Sequence, residues 1–213
     1  MFLALFVVLF LCAPLVRAQS SEYVEPQAGA HELEVFSGSG TGVHGFGQSS
    51  ATVGNVVWYA GPRYGWVLTD VHGPRFLRGR FEYAMDVIPV FLVLQAGGTT
   101  YGSSFDPIVL KWNFARSRGA APYFELSAGG LATAQQVPRG ASHLNFTPSA
   151  AFGLRFPRGR NYWSLEFRYI HISDAFITNY NPGMDTLGLL FGFGRFTHSR
   201  GLSEGIQRAH AAP

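Results

Sequence analysis

The chain has 213 residues, with 16 Lys plus Arg against 13 Asp plus Glu and a formal net charge of +3. Only 14% of residues are charged, while 15% are aromatic and 26 are glycine; a soluble domain carries about a quarter charged residues. The balance excludes a strongly basic nucleic-acid binder, and a single cysteine, Cys12, excludes a disulfide framework or a thiolate metal site.

Residues 1–18 open on an apolar run from Met1 to Ala13, followed by small residues at a cleavage spacing in Val16-Arg-Ala18. This reads as a secretory signal peptide. An uncleaved anchor helix is the alternative, opposed by length, because spanning takes about 20 apolar residues. Cys12 lies inside this segment, behind Leu9-Phe-Leu11. No later stretch is long and apolar enough for a membrane helix.

Residues 19–196 carry weak alternation of apolar and polar positions, the pattern of a transmembrane β-barrel. Eight strands are expected, at roughly 31–42, 53–69, 75–95, 106–116, 121–135, 145–157, 161–173 and 185–196. In the third, Arg78, Arg80, Glu82 and Asp86 share one parity and Phe81, Tyr83, Met85 and Val87 the other. The fourth sets Ile108, Leu110, Trp112 and Phe114 against Lys111 and Asn113. The sixth sets Phe146, Ala150, Phe152, Leu154 and Phe156 against Thr147, Ser149, Gly153 and Arg155.

An aromatic face opposed to a charged one implies an inverted barrel, with greasy residues toward lipid and charges in the lumen. Arg80, Glu82, Asp86, Glu166 and Arg168 are the expected interior ion network. An eight-stranded barrel is filled by its own side chains, so no pore is expected. Short inner turns are expected at 70–74, 116–120 and 157–160, and longer outer loops at about 43–52, 96–105, 136–144 and 174–184. Residues 197–213 read as a polar C-terminal tail.

The seventh segment carries the chemistry. Trp163, Leu165, Phe167, Tyr169, His171 and Ser173 share one strand face. That face starts aromatic and ends in a base and a hydroxyl, where lipid-facing residues belong. Two positions apart on a strand, Cα atoms are about 6.5–7 Å apart, close enough for side chains to converge. An imidazole so placed can take the proton of a serine attacking a carbonyl. Asp185 shares parity with the apolar row Leu187, Leu189, Phe191 and Phe193, so a hairpin between the last two strands would set it opposite His171. The bland reading is a rim histidine and serine that bind headgroups or water.

Together, Arg168-Tyr-Ile-His171-Ile-Ser173-Asp-Ala175, Asn181-Pro-Gly183-Met-Asp185 and the glycine-aromatic strand from Gly188 to Phe196 resemble the lipid A 3-O-deacylase (PagL-like) family. The resemblance extends upstream through Gly79-Arg-Phe-Glu82-Tyr and Val87-Ile-Pro89-Val-Phe91. It implies an outer-membrane, cofactor-independent esterase that needs no metal and cleaves the 3-O-acyl ester of lipid A through an acyl-enzyme. By position, His171 matches the family's base, Ser173 its nucleophile and Asp185 its orienting acid. The family usually has Glu at that last place and Asn where Asp174 stands. Asp174, Ala175, Asn181 and Gly183 are the candidate oxyanion or substrate contacts, and backbone N–H groups near Ala175 are the alternative to the Asp174 side chain. The aromatic face of the last two strands is expected to cradle the acyl chain. Lipopolysaccharide in the outer leaflet is the expected partner; nucleic acid is not, and a homodimer stays open.

Other readings remain. A structural or lipid-binding barrel without turnover would keep the fold and lose the reaction, and a soluble lipocalin-like binder would place its apolar residues inside. Gly40-Thr-Gly42-Val-His-Gly45 matches a dinucleotide fingerprint in letters only, because no helix or parallel α/β pattern comes after it. It reads as the start of the first outer loop. Asn179, Tyr180 and Asn181 read as turn formers capping the loop beside the site, with contact to the glucosamine headgroup as the alternative.

Overall fold

The computed structural model describes residues 25–45, 52–115, 119–179 and 181–197. The expected signal peptide, the tail beyond Thr197, the Arg116–Arg118 turn and Tyr180 lie outside the described residues. Nine strand segments are present among them: β1 (His31–Val43), β2 (Val56–Val67), β3 (Gly79–Gln95), β4 (Gly98–Phe114), β5 (Ala121–Val137), β6 (Ser142–Phe146), β7 (Ser149–Arg158), β8 (Asn161–Ile172) and β9 (Met184–Thr197). β6 and β7 both pair with β5 and are two pieces of one strand, separated by Thr147 and Pro148. Pro148 has no N–H to offer the ladder; its carbonyl accepts from His171 N at 2.9 Å. Every strand pairs antiparallel with its neighbours. The β1–β9 and β4–β5 pairings close the sheet into an eight-stranded barrel.

The parity expected for the walls holds along most of their length. Val35, Phe124, Phe152, Phe167 and Phe191 are exposed on the outside, while Glu82, Lys111, Glu125 and Glu166 are fully buried. A closed barrel with an apolar exterior and a charged interior suits a lipid surround, since every backbone polar group is paired without a free edge.

Three expectations need correction. The 96–105 and 136–144 segments are not long loops. β4 already begins at Gly98, after a two-residue turn at Ala96–Gly97, and β5 continues to Val137. Gly97 and Gly98, at φ 95° and 131°, adopt backbone angles open chiefly to glycine and so permit the tight turn. Thr99 to Ser104 are polar, which by composition alone suggests a loop; they extend the wall instead. The third strand starts at Gly79 rather than 75, behind a 3-10 turn at Arg75–Leu77, so Arg78 is exposed and outside the strand.

The lumen also is not polar throughout. Its outer half is packed by a cluster that includes Phe36, Tyr59, Phe91, Leu131, Ile172 and Met184. Phe91 and Val93 point inward because the β3–β4 register shifts between Ile88 and Phe91, reversing the face of the later residues of β3. Beneath lies the ionic layer. Arg63 is bidentate to Asp86 (2.7 and 2.7 Å) and to Glu125 (2.8 and 2.9 Å). Arg168 bridges Glu125 at 2.6 Å and Glu166. Lys111 and Arg155 hold Glu32 at 2.8 and 2.6 Å. Arg80, expected in this network, pairs instead with Glu25 at 2.9 Å. Glu32, Glu34, Arg63 and Glu125 belong to the network beyond the expected set. Ala30, Val67, Tyr162 and Phe196 form a separate buried cluster at the end where β1 begins and β9 finishes.

Candidate active site

His171 is the penultimate residue of β8, and Asp185 the second residue of β9. The hairpin register pairs them directly across the ladder. Both lie on the outward parity, with Tyr169 and Leu187 paired one step down the same face. His171 Nδ1 donates to Asp185 Oδ1 at 2.7 Å. The His171 side chain is 27% exposed and that of Asp185 is fully covered. A charged carboxylate on the outer wall is costly unless hydrogen-bonded, and here two donors meet it, because the Tyr169 hydroxyl also donates to Oδ1.

Cover for the carboxylate comes from β1. Val43 pairs with Asp185 from the other side, and the chain just past β1 brings Gly45 over it. A Cβ at Gly45 would lie 1.5 Å from Asp185 Oδ2. That oxygen is buried and has no hydrogen-bond partner among the described residues. Pairing through Nδ1 leaves His171 Nε2 able to accept a proton.

Ser173 comes just after β8 and is held by an isolated bridge to Phe146, with Phe146 N donating to its carbonyl at 2.7 Å and its own N–H returning at 3.2 Å. It is 8% exposed, and among the described residues its hydroxyl makes no hydrogen bond to His171. The structure therefore joins His171 to Asp185 and sets Ser173 two residues from the ring without closing that link.

The next residues build a tight loop. The Asp174 carboxylate is fully buried and accepts from Phe176 N at 3.0 Å, from Thr178 N at 3.2 Å and from the Thr178 hydroxyl. It is turned into its own loop. Asn181 Oδ1 accepts from Asp174 N at 3.3 Å, tying the returning limb to the departing one. Ala175 and Phe176 have φ of 51° and 64°, and Gly183 a φ of 59°. Two successive non-glycine residues in the left-handed region are held by the bonds to Asp174. The Ala175 N–H makes no hydrogen bond among the described residues. Phe176 and Ile177 form an exposed apolar tip.

Two grooves flank the aromatic face of β8 and β9. One, of about 520 Å³, runs along β1 past Ser37, Ser39 and Thr41, bounded by Trp58, Leu187 and Phe191. Since Val43 pairs with Asp185 and Thr41 with Leu187, this groove descends from the acid. The other, of about 730 Å³, crosses β3 to β6 and reaches Phe146, the bridge partner of Ser173. Among the described residues, no three His, Cys, Asp or Glu side chains are grouped to hold a metal ion.

Fold and exterior define an outer-membrane β-barrel with ionisable groups on its lipid-facing wall. The sequence pattern of the lipid A 3-O-deacylase (PagL) family matches residues 80–194, more than half of the chain, and the protein belongs to that family. The crystal structure of the outer membrane enzyme PagL superposes with a TM-score of 0.57 at 20% identity, covering 75% of this chain and 97% of the other. The outer membrane protein OprG from Pseudomonas aeruginosa superposes at 0.53 with 9% identity, over 84% of this chain and 100% of the other. At these identities the two superpositions speak for the fold. No curated protein matches by sequence.

Tyr169 and Gly45 join the site from outside the set of residues that the sequence points to. Tyr169 carries a usable signal, since it shares the face of His171 two positions earlier. Gly45 carries none, because its place over Asp185 depends on the β1–β9 register.

Proposed function

We propose that this barrel hydrolyses the 3-O-acyl ester of lipid A, using Ser173 as nucleophile, His171 as base and Asp185 as the group that orients the ring. One observation carries the proposal: the 2.7 Å bond from His171 to a fully covered carboxylate on the outward face of the wall. Such a pair has no packing role in the lumen, and it is accessible to a substrate that lies in the bilayer.

Asp185 holds the Nδ1–H tautomer, so Nε2 takes the proton from Ser173 Oγ as that oxygen bonds to the ester carbonyl. The Ala175 N–H, two residues past the serine and without a hydrogen bond among the described residues, is a donor for the carbonyl oxygen as it gains charge. Collapse breaks the ester bond, and the departing sugar oxygen takes the proton from His171. Water then repeats the sequence on the acyl-serine and releases the fatty acid. The open link between Ser173 and His171 fits a substrate-free site, where catalytic hydrogen bonds are often long until substrate binds. Through the β1 groove, a chain attached to the ester can leave the site without entering the lumen.

The same open link favours the second reading, a barrel that binds lipid A without turnover. Mass spectrometry of lipid A from cells expressing wild type or Ser173→Ala separates the two. Wild type should remove one 3-hydroxyacyl chain, and Ser173→Ala should lose at least about a thousandfold in rate. An unchanged acylation pattern with the inserted wild-type barrel rejects hydrolysis.

A further inference from the structure

We propose that Tyr169 is a positioning residue of this site, whose hydroxyl shares Asp185 Oδ1 with His171 and sets how strongly the carboxylate holds the imidazolium. The inference rests on the roles assigned above to Ser173, His171 and Asp185. Its starting point is how little else touches the acid. Among the described residues, Asp185 forms one ion pair, with His171, and Oδ1 accepts from two side chains, His171 and Tyr169. Oδ2 sits beneath Gly45 without a partner. No arginine or lysine among the described residues shares the anion, so in a covered site most of its charge would fall on the imidazole alone.

A second donor on the same oxygen changes that. The phenol withdraws charge from Oδ1 and pins the carboxylate rotation, because releasing Oδ1 would break two bonds at once. His171 then meets a weaker acceptor held in one orientation. Tyr169 is suited to the role by placement. It lies on the outward face two residues before His171, opposite Leu187 on β9 and Ala150 on β7, neither of which is charged. The nearest other titratable groups along the chain are His44, exposed beside Gly45 just past β1, and Asp174, whose carboxylate is committed to Phe176 and Thr178.

Removing the hydroxyl should strengthen the hold of Asp185 on the imidazolium, so the acidic limb of the activity profile should lie at higher pH. For Tyr169→Phe, the acidic limb of kcat/KM on lipid A should move up by about 0.5–1 pH unit, a loss of about three- to tenfold at pH values well below the midpoint of the limb. Replacing Tyr169 with 3-fluorotyrosine keeps the ring and offers a stronger donor, so the limb should move down. Phe167→Leu, one pair further from the rim, should leave the limb in place. Folding of each full-length barrel is read from its heat-dependent migration in detergent gels, and the fluorotyrosine protein covers the case in which the phenylalanine variant does not fold. A limb that moves with neither substitution, whatever the change in rate, overturns the inference and leaves the wild-type reaction standing. A wild type that releases no acyl chain overturns both.

Discussion

A Cβ on Gly45 would come within 1.5 Å of Asp185 Oδ2, so the acid can be covered only by a residue without a side chain. Gly45→Ala should therefore displace the carboxylate from His171 while leaving the strands paired. The expected loss is about a hundredfold in kcat/KM, the scale of a one-ångström misplacement, with unchanged gel migration of the folded barrel. The same closeness sets the length of the acid. His171 and Asp185 are direct ladder partners and already meet at 2.7 Å. Asp185→Glu, which restores the acid usual in the family, should lower activity rather than raise it, because the added methylene has no space under Gly45. Assay of the two variants side by side checks this; a gain with Glu would show that Gly45 does not close the site. Strand parity places His171 and Asp185 on one face from the amino-acid order alone. Gly45 reads only as part of a loop, since a contact between β1 and β9 joins residues some 140 positions apart and leaves no local pattern.

At the scale of elements, alternation locates every wall, while composition misplaces the outer edges. Thr99 to Ser104 and Gln135 to Val137 are polar or mixed, a composition that suggests loop; both extend strands above the apolar band. Register shifts are invisible for another reason. The shift between Ile88 and Phe91 depends on β4 as much as on β3, so no reading of one segment could place Phe91 inside. β9 shows how neighbours set an element's residues. Its inward positions 192 and 194 are glycine because Glu34 and Ser164 cross over the first and the Tyr162 ring over the second, within 2.0–2.3 Å of where a Cβ would stand. The Tyr162 hydroxyl reaches on to Glu32 at 2.6 Å. Gly194→Val should push the ring off this track and block β8–β9 docking, since neither the ring nor the strand can yield in a filled lumen. The expected outcome is loss of the folded band in detergent gels, whereas Gly130→Ala, where a Cβ would come no nearer than 4.0 Å to Asn145 O among the described residues, should keep it.

For the whole molecule, the two faces of the wall divide the work between stability and chemistry. Outside, tyrosine and tryptophan gather near the end where the chain enters: Tyr64 meets Trp66 edge-on at 4.5 Å, Trp66 stacks on Tyr83 at 5.8 Å, and Trp163 packs on Phe193 at 4.8 Å. Such rings favour a membrane–water interface and fix the barrel's depth, which leaves His171 at the opposite end. Inside, the walls are joined through Arg63, whose side chain from β2 binds acids from β3 and β5. With four of its hydrogen bonds going to Asp86 and Glu125, it is the cross-link that the strand pattern could not reveal, because partners across a lumen follow no spacing. Removing it leaves Asp86 buried without its partner and Glu125 with Arg168 alone. Arg63→Met should cost about 3–5 kcal/mol, the penalty for breaking a buried ion pair from one side. Urea unfolding of the barrel in lipid vesicles would read this as a lower midpoint with an unchanged slope. Replacing all three groups, as Arg63→Met with Asp86→Leu and Glu125→Leu, removes the charges together with their desolvation cost. The triple variant should therefore regain most of the loss, and it should keep deacylating lipid A, because the site stands on the other face of the wall. Failure to recover stability would mean that Arg63 holds the strands by more than neutralising these two acids, with Glu34 and Glu166, each 3.5 Å from it, the next groups to test.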